Sequence, residues 1–107
     1  METFRQVSLS VETRHDLRKA YDWYESQLPG LGTRFLDTFV NAVDLAVDRP
    51  NSFAVIEADA RRVILAKFPF GVFFRVIDDV IRVIGVIDLR SDDREWKKRI
   101  VSSITPR

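Results

Sequence analysis

The 107-residue sequence has no cysteine and a single histidine. The first absence rules out disulfides and thiolate chemistry, and the second argues against a zinc site. Glycine and proline are sparse, four of each. The glycines form neither a Walker loop nor a G-x-G-x-x-G turn, which excludes phosphate-cradle enzymes. No apolar run approaches the roughly 20 residues that a membrane span needs. No secretory signal precedes the first expected strand, so a cytoplasmic protein without membrane contact is expected. Internal repeats, low-complexity tracts and dividing linkers are also missing, and residues 1–107 are expected to form one domain with no cofactor and no metal.

Present instead is a block rich in Val, Ile and Phe from Arg61 to Arg90. Turn signals at Pro69-Phe70-Gly71 and Asp78-Asp79 divide it into three runs, which predicts an antiparallel three-stranded meander. The middle run offers Phe73, Arg75 and Ile77 to one face and Val72, Phe74 and Val76 to the other. Arg75 therefore stands on a mostly apolar face, where an unpaired charge is costly, and should meet a carboxylate such as Asp88 or an anionic partner.

Ahead of the meander, Thr3 to Leu9 alternates as an edge or near-edge strand. Ser10 sits at an N-cap position with Glu12 in the next turn, predicting a helix from Val11 to about Leu28. Leu17, Ala20, Tyr21, Tyr24 and Leu28 form its apolar stripe, with Trp23 beside it. Arg14, Arg18, Asp22 and Glu25 point to water. Pro29-Gly30-Leu31-Gly32 turns the chain into a second helix, whose stripe runs from Phe35 to Val47 until Pro50 stops it. Residues 50–59 read as irregular, anchored by Phe53, Val55 and Ile56. After Arg90, residues 91–100 carry an N-cap signal, acids in the first turn and bases in the last, predicting a short helix. The expected fold is α+β, in the order β-α-α-β-β-β-α. An antiparallel sheet carries a helical hairpin on one face, with the other face partly open.

Charge divides the chain. Residues 1–60 carry six Lys/Arg against ten Asp/Glu, and residues 61–107 eleven against six. The basic half suggests an anionic or acidic partner. Arg62, Lys67, Arg75, Arg82 and Arg90 all fall on or beside the meander. They could converge on the open face to hold phosphates or carboxylates, or simply keep strand edges soluble. His15 reads as solvated helix surface, and Asp92 and Asp93 as first-turn acids rather than a catalytic pair. Trp23 and Tyr24 read as core residues. Trp96 fits a hydrophobic slot on the sheet better than a base-stacking role, since it has no second aromatic partner of its own in the sequence.

Several of these residues fall in a recognisable order. Asp16-Leu17, Ala20, Trp23-Tyr24-Glu25, Pro29-Gly30-Leu31-Gly32 with Phe35-Leu36, Pro50, and Arg61-Arg62 come first. Phe68-Pro69-Phe70-Gly71-Val72-Phe73-Phe74-Arg75-Val76 and Asp88-Leu89-Arg90 with Trp96 follow. Over residues 4–99 this pattern resembles the ParE branch of the ParE/RelE toxin superfamily. The resemblance implies the toxin of a type II toxin–antitoxin pair, of the plasmid-stabilisation kind, neutralised by a cognate antitoxin. ParE members poison DNA gyrase; RelE members are ribosome-dependent messenger-RNA endonucleases. On the first alternative the partner-binding residues are Arg62, Arg75, Arg82, Arg90 and Trp96. On the second, Arg62, Lys67, Arg75 and Arg90 would stabilise the scissile phosphate and Asp88 would act as base. A third alternative is an inactive orphan that keeps only antitoxin binding. Many relatives carry His where this chain has Asp88, and residues 61–107 contain neither His nor Tyr. Such a site lacks a group poised near neutral pH and is expected to bind rather than cut.

Overall fold

The computed structural model describes residues 5–104. The elements are β1 (Gln6–Leu9), α1 (Val11–Gln27), α2 (Leu31–Asp48), β2 (Val55–Glu57), β3 (Ala60–Ile64), β4 (Phe70–Ile77), β5 (Val80–Asp88) and α3 (Asp93–Ile104). They build an α+β fold around one five-stranded sheet of order β1-β5-β4-β3-β2. Two expectations are corrected. The sheet is mixed, because β1 pairs in parallel with β5, Gln6 opposite Val80 and Leu9 opposite Val83. The segment read as irregular contains β2, which pairs with β3 after a 3-10 turn at Pro50–Ser52. Thr3 and Phe4, taken as the start of the first strand, lie outside the described residues.

Local chemistry explains the boundaries. Ser10 caps α1 by accepting a hydrogen bond from the Thr13 backbone N–H at 3.0 Å. At the other end, Gly30 takes φ +90°, a conformation that costs glycine nothing. Glu25 does not point to water as its helical position suggests. Its two carboxylate oxygens accept the backbone N–H groups of Gly30 and Gly32, both at 3.0 Å, and so satisfy donors at the start of α2. Gly32 lets the helices close: a Cβ there would lie 2.7 Å from the Tyr21 ring and 2.9 Å from its carbonyl oxygen.

The helical hairpin covers one face of the sheet. Phe35, Phe39, Ala42, Val43 and Ala46 pack with Val72, Phe74, Ile81, Val83 and Val86. The opposite face is only partly open. Trp96 and Ile100 of α3 close it over Ala60, Phe73, Ile84 and Ile87. A bulge serves both cores: Phe73 pairs with Gly85 but Phe74 with Val83, so Ile84 is an extra residue on β5. Ile84 thereby joins Phe73 under α3, while Val83 and Val86 stay under the hairpin.

Beyond Leu9, β1 has ended and β5 would present unpaired backbone groups. The Ser10 backbone and side chains of α1 and α3 take them up. The Val83 carbonyl accepts from the Ser10 N–H and the Thr13 hydroxyl, each at 3.1 Å. The Val86 N–H donates to Asp16 at 3.0 Å, and the Ile84 carbonyl accepts from Arg99 at 3.2 Å. Asp16 and Arg99 also pair directly at 2.8 and 3.2 Å, clamping α1 to α3 across the end of the sheet.

Candidate partner-binding surface

A groove of about 990 Å³ runs between α1 and α3, floored by the ends of β4 and β5. Trp23, Tyr24 and Lys19 enter it from α1, Phe70 from β4, and Asp88 and Arg90 from the end of β5. Tyr24 is held by aromatic packing, stacked on Phe35 at 5.4 Å and edge-on to Phe68 at 5.0 Å. Trp23 stands edge-on to Tyr24 at 5.0 Å yet remains 56% exposed, which corrects its expected place in the core.

Asp88 and Arg90 form a closed unit. One oxygen of Asp88 accepts the Arg90 backbone N–H at 2.9 Å and its Nε at 3.0 Å, and the other accepts Nη2 at 2.8 Å. Hydrogen bonding from the Arg90 side chain holds the Asp88 carboxyl below the usual carboxylate range, against the opposing effect of burial. Burial pushes the Tyr24 phenol up, with the Asp88 charge adding and the Arg90 charge opposing. At neutral pH the groove thus holds a neutral phenol, a committed carboxylate and a guanidinium whose side chain is 67% exposed.

The other residues singled out in the sequence lie elsewhere. Arg75 is on the α3 face, as its alternation required, and it does meet a carboxylate. That partner is Asp59 rather than Asp88, in a bidentate pair at 2.7 and 3.0 Å. The Arg75 hydrogen bonds hold the Asp59 carboxyl down in turn. Arg82, on β5 directly opposite Arg75 of β4, donates to the Ser8 hydroxyl. Arg62 lies on β3 with its guanidinium 5.9 Å from the centre of the Phe73 ring. Lys67 is exposed in the β3–β4 turn at φ +68°. Trp96 fills the slot expected for it, buried and stacked on Phe73 at 5.5 Å.

The five cations therefore occupy separate places, and only Arg75 and Arg82 stand together. Tyr24, beside Asp88 and Arg90, was not legible, because the sequence places both tyrosines in the first helix, far from the meander. Asp16 carried a faint signal, an acid next to Leu17 on the inward side of α1. Among the described residues no group of His, Cys, Asp and Glu could hold a metal ion, and no helix is long and apolar enough to cross a membrane.

No family model matches the sequence, and no curated protein matches it. Among solved structures, a chain of a chromosomal ParDE TA system from P. aeruginosa has a similar fold, with a TM-score of 0.70. The two share 20% sequence identity over 80% of this chain and 97% of that one. At that identity the likeness is one of fold.

Proposed function

We propose that this chain is the toxin of a type II toxin–antitoxin system, ParE-like, which poisons DNA gyrase by binding it and is neutralised in the cytoplasm by a cognate antitoxin. The fold shared with a ParDE chain and the ordered motifs of the sequence support the toxin reading. Binding rather than cleavage is supported above all by the Asp88–Arg90 pair. A carboxylate held below its ordinary range by its own arginine is a poor proton acceptor at neutral pH, and a buried phenol pushed upward is no better. What the groove offers to a partner is the exposed indole of Trp23 and the outward guanidinium of Arg90, the residue types that anchor interfaces.

An antitoxin has a place to dock as well. β1 is an edge strand, and Val7 and Val40 beside it are 43% and 52% exposed, a surface that strand addition would cover. The deciding experiment adds purified chain to gyrase and follows supercoiling, alongside primer extension on messenger RNA from translating ribosomes. Loss of supercoiling that Arg90→Ala relieves at least tenfold is expected. Codon-specific cuts in the message with gyrase unaffected would replace this reading by the ribonuclease one, and failure of neither would leave an antitoxin-binding orphan.

A further inference from the structure

A second cavity, of about 600 Å³, opens on the α3 face and is lined by Arg75, Arg82, Lys98 and Arg99 with Glu12 and Glu95. It lies apart from the Trp23–Arg90 groove, although Glu95 and Arg99 border both. Its charges are unevenly distributed. Arg99 is matched by Asp16, and the charges of Glu12 and Glu95 also act on it. At the other end Arg75 and Arg82 are direct cross-strand partners, a like-charge pairing that is unfavourable unless something compensates it. Arg75 has Asp59, whose side chain is 57% exposed. Among the described residues Arg82 has only the neutral Ser8 hydroxyl as a hydrogen-bond partner, and neither Arg82 nor Lys98 forms an ion pair.

We infer that the Arg75–Arg82 end of this cavity, together with Lys98, is a phosphate-binding site. A guanidinium half-covered by the fold and without a carboxylate in hydrogen-bonding contact among the described residues gains most from a multivalent oxyanion, which can accept from Arg82 while neutralising the repulsion from Arg75. Lys98, on α3, contributes a mobile ammonium that closes over the anion as a point charge. The cavity admits a diphosphate or one or two phosphates of a nucleic-acid backbone. The inference stands apart from the gyrase reading, since it concerns the other groove and is read by direct binding.

The test is calorimetric titration of the full chain at low ionic strength with inorganic pyrophosphate, and in parallel with a short single-stranded oligonucleotide. Binding is expected to weaken at least tenfold in Arg82→Gln and severalfold in Lys98→Ala, and to be unchanged in Arg90→Ala. Lys98 is exposed on α3, so its variant reports on binding even if Arg82→Gln is less stable. Stronger binding of pyrophosphate identifies a free phosphate ligand, and stronger binding of the oligonucleotide a backbone phosphate; either supports the site. No heat or retention with either probe, or binding that survives in both variants, overturns it.

Discussion

Asp16 is satisfied from two directions, by the Val86 N–H and by both terminal nitrogens of Arg99. Its side chain is 17% exposed and that of Arg99 27%, so the pair is largely withdrawn from water. Replacing Asp16 with Asn leaves the Arg99 charge facing a neutral amide and is expected to cost about 2 kcal/mol in urea unfolding. That is below the roughly 3–5 kcal/mol of a fully buried broken pair, because water and the Glu12 and Glu95 charges still reach the guanidinium. The carboxylates of Asp59 and Asp88 set a different dependence. Each is held below its ordinary range by an arginine, so each binds a proton more readily in the unfolded chain than in the folded one. Their contribution is present above the unfolded value of about 3.9 and is lost as pH falls through the folded values. The urea midpoint should be flat above about pH 5 and decline below about pH 4, with a shallower decline in Asp59→Asn. Of these residues the sequence made Arg75 legible, because alternation forced it onto an apolar face. It could not name Asp59, since the β2–β3 turn that presents this carboxylate was not foreseen.

α3 owes its place to two buried side chains, Trp96 and Ile100, which lie on Phe73, Ile84 and Ile87. Most of its remaining surface is charged or hydroxylic, and its other ties are polar ones, from Arg99 to Asp16 and the Ile84 carbonyl and from Arg75 to the Ser103 carbonyl. Trp96→Ala should cost about 3 kcal/mol, as expected for emptying a large aromatic slot, and should raise amide exchange across residues 93–104 more than in α2. α1 and α2 were the most legible elements, because Ser10, Gly30 and Pro50 mark their ends with specific backbone chemistry, whereas α3 runs over Asp93–Ile104 rather than 91–100 and its bases fall before its last turn. β4 and β5 were nearly as clear. β2 was missed because three residues, Val55–Glu57, are too short to show a period and follow a Pro-Asn-Ser turn. The bulge at Ile84 was illegible for another reason. An extra residue among the Val and Ile of β5 leaves little mark on composition beyond Gly85 beside it, and only the partner strand shows where the alternation slips.

At the scale of the whole molecule, three layers replace the two that the sequence implied, with the sheet covered by the acidic hairpin on one side and the basic α3 on the other. The charge division thus becomes a spatial one: residues 61–107 supply β3, β4, β5 and α3, and the cations of both grooves come mainly from them. Local patterns could not reveal that β1 runs parallel to β5, because strand direction is decided by where the intervening chain travels. That pairing also has a consequence for the birth of the protein. Gln6 is synthesised before its partner Val80, with α1, α2 and three strands made in between. During translation the helical hairpin must wait with Phe35 and Phe39 uncovered, and β1 is among the last pieces to be stitched into place. Such a nascent chain is a natural client for chaperones, and neither groove exists until synthesis has passed β5 and reached α3.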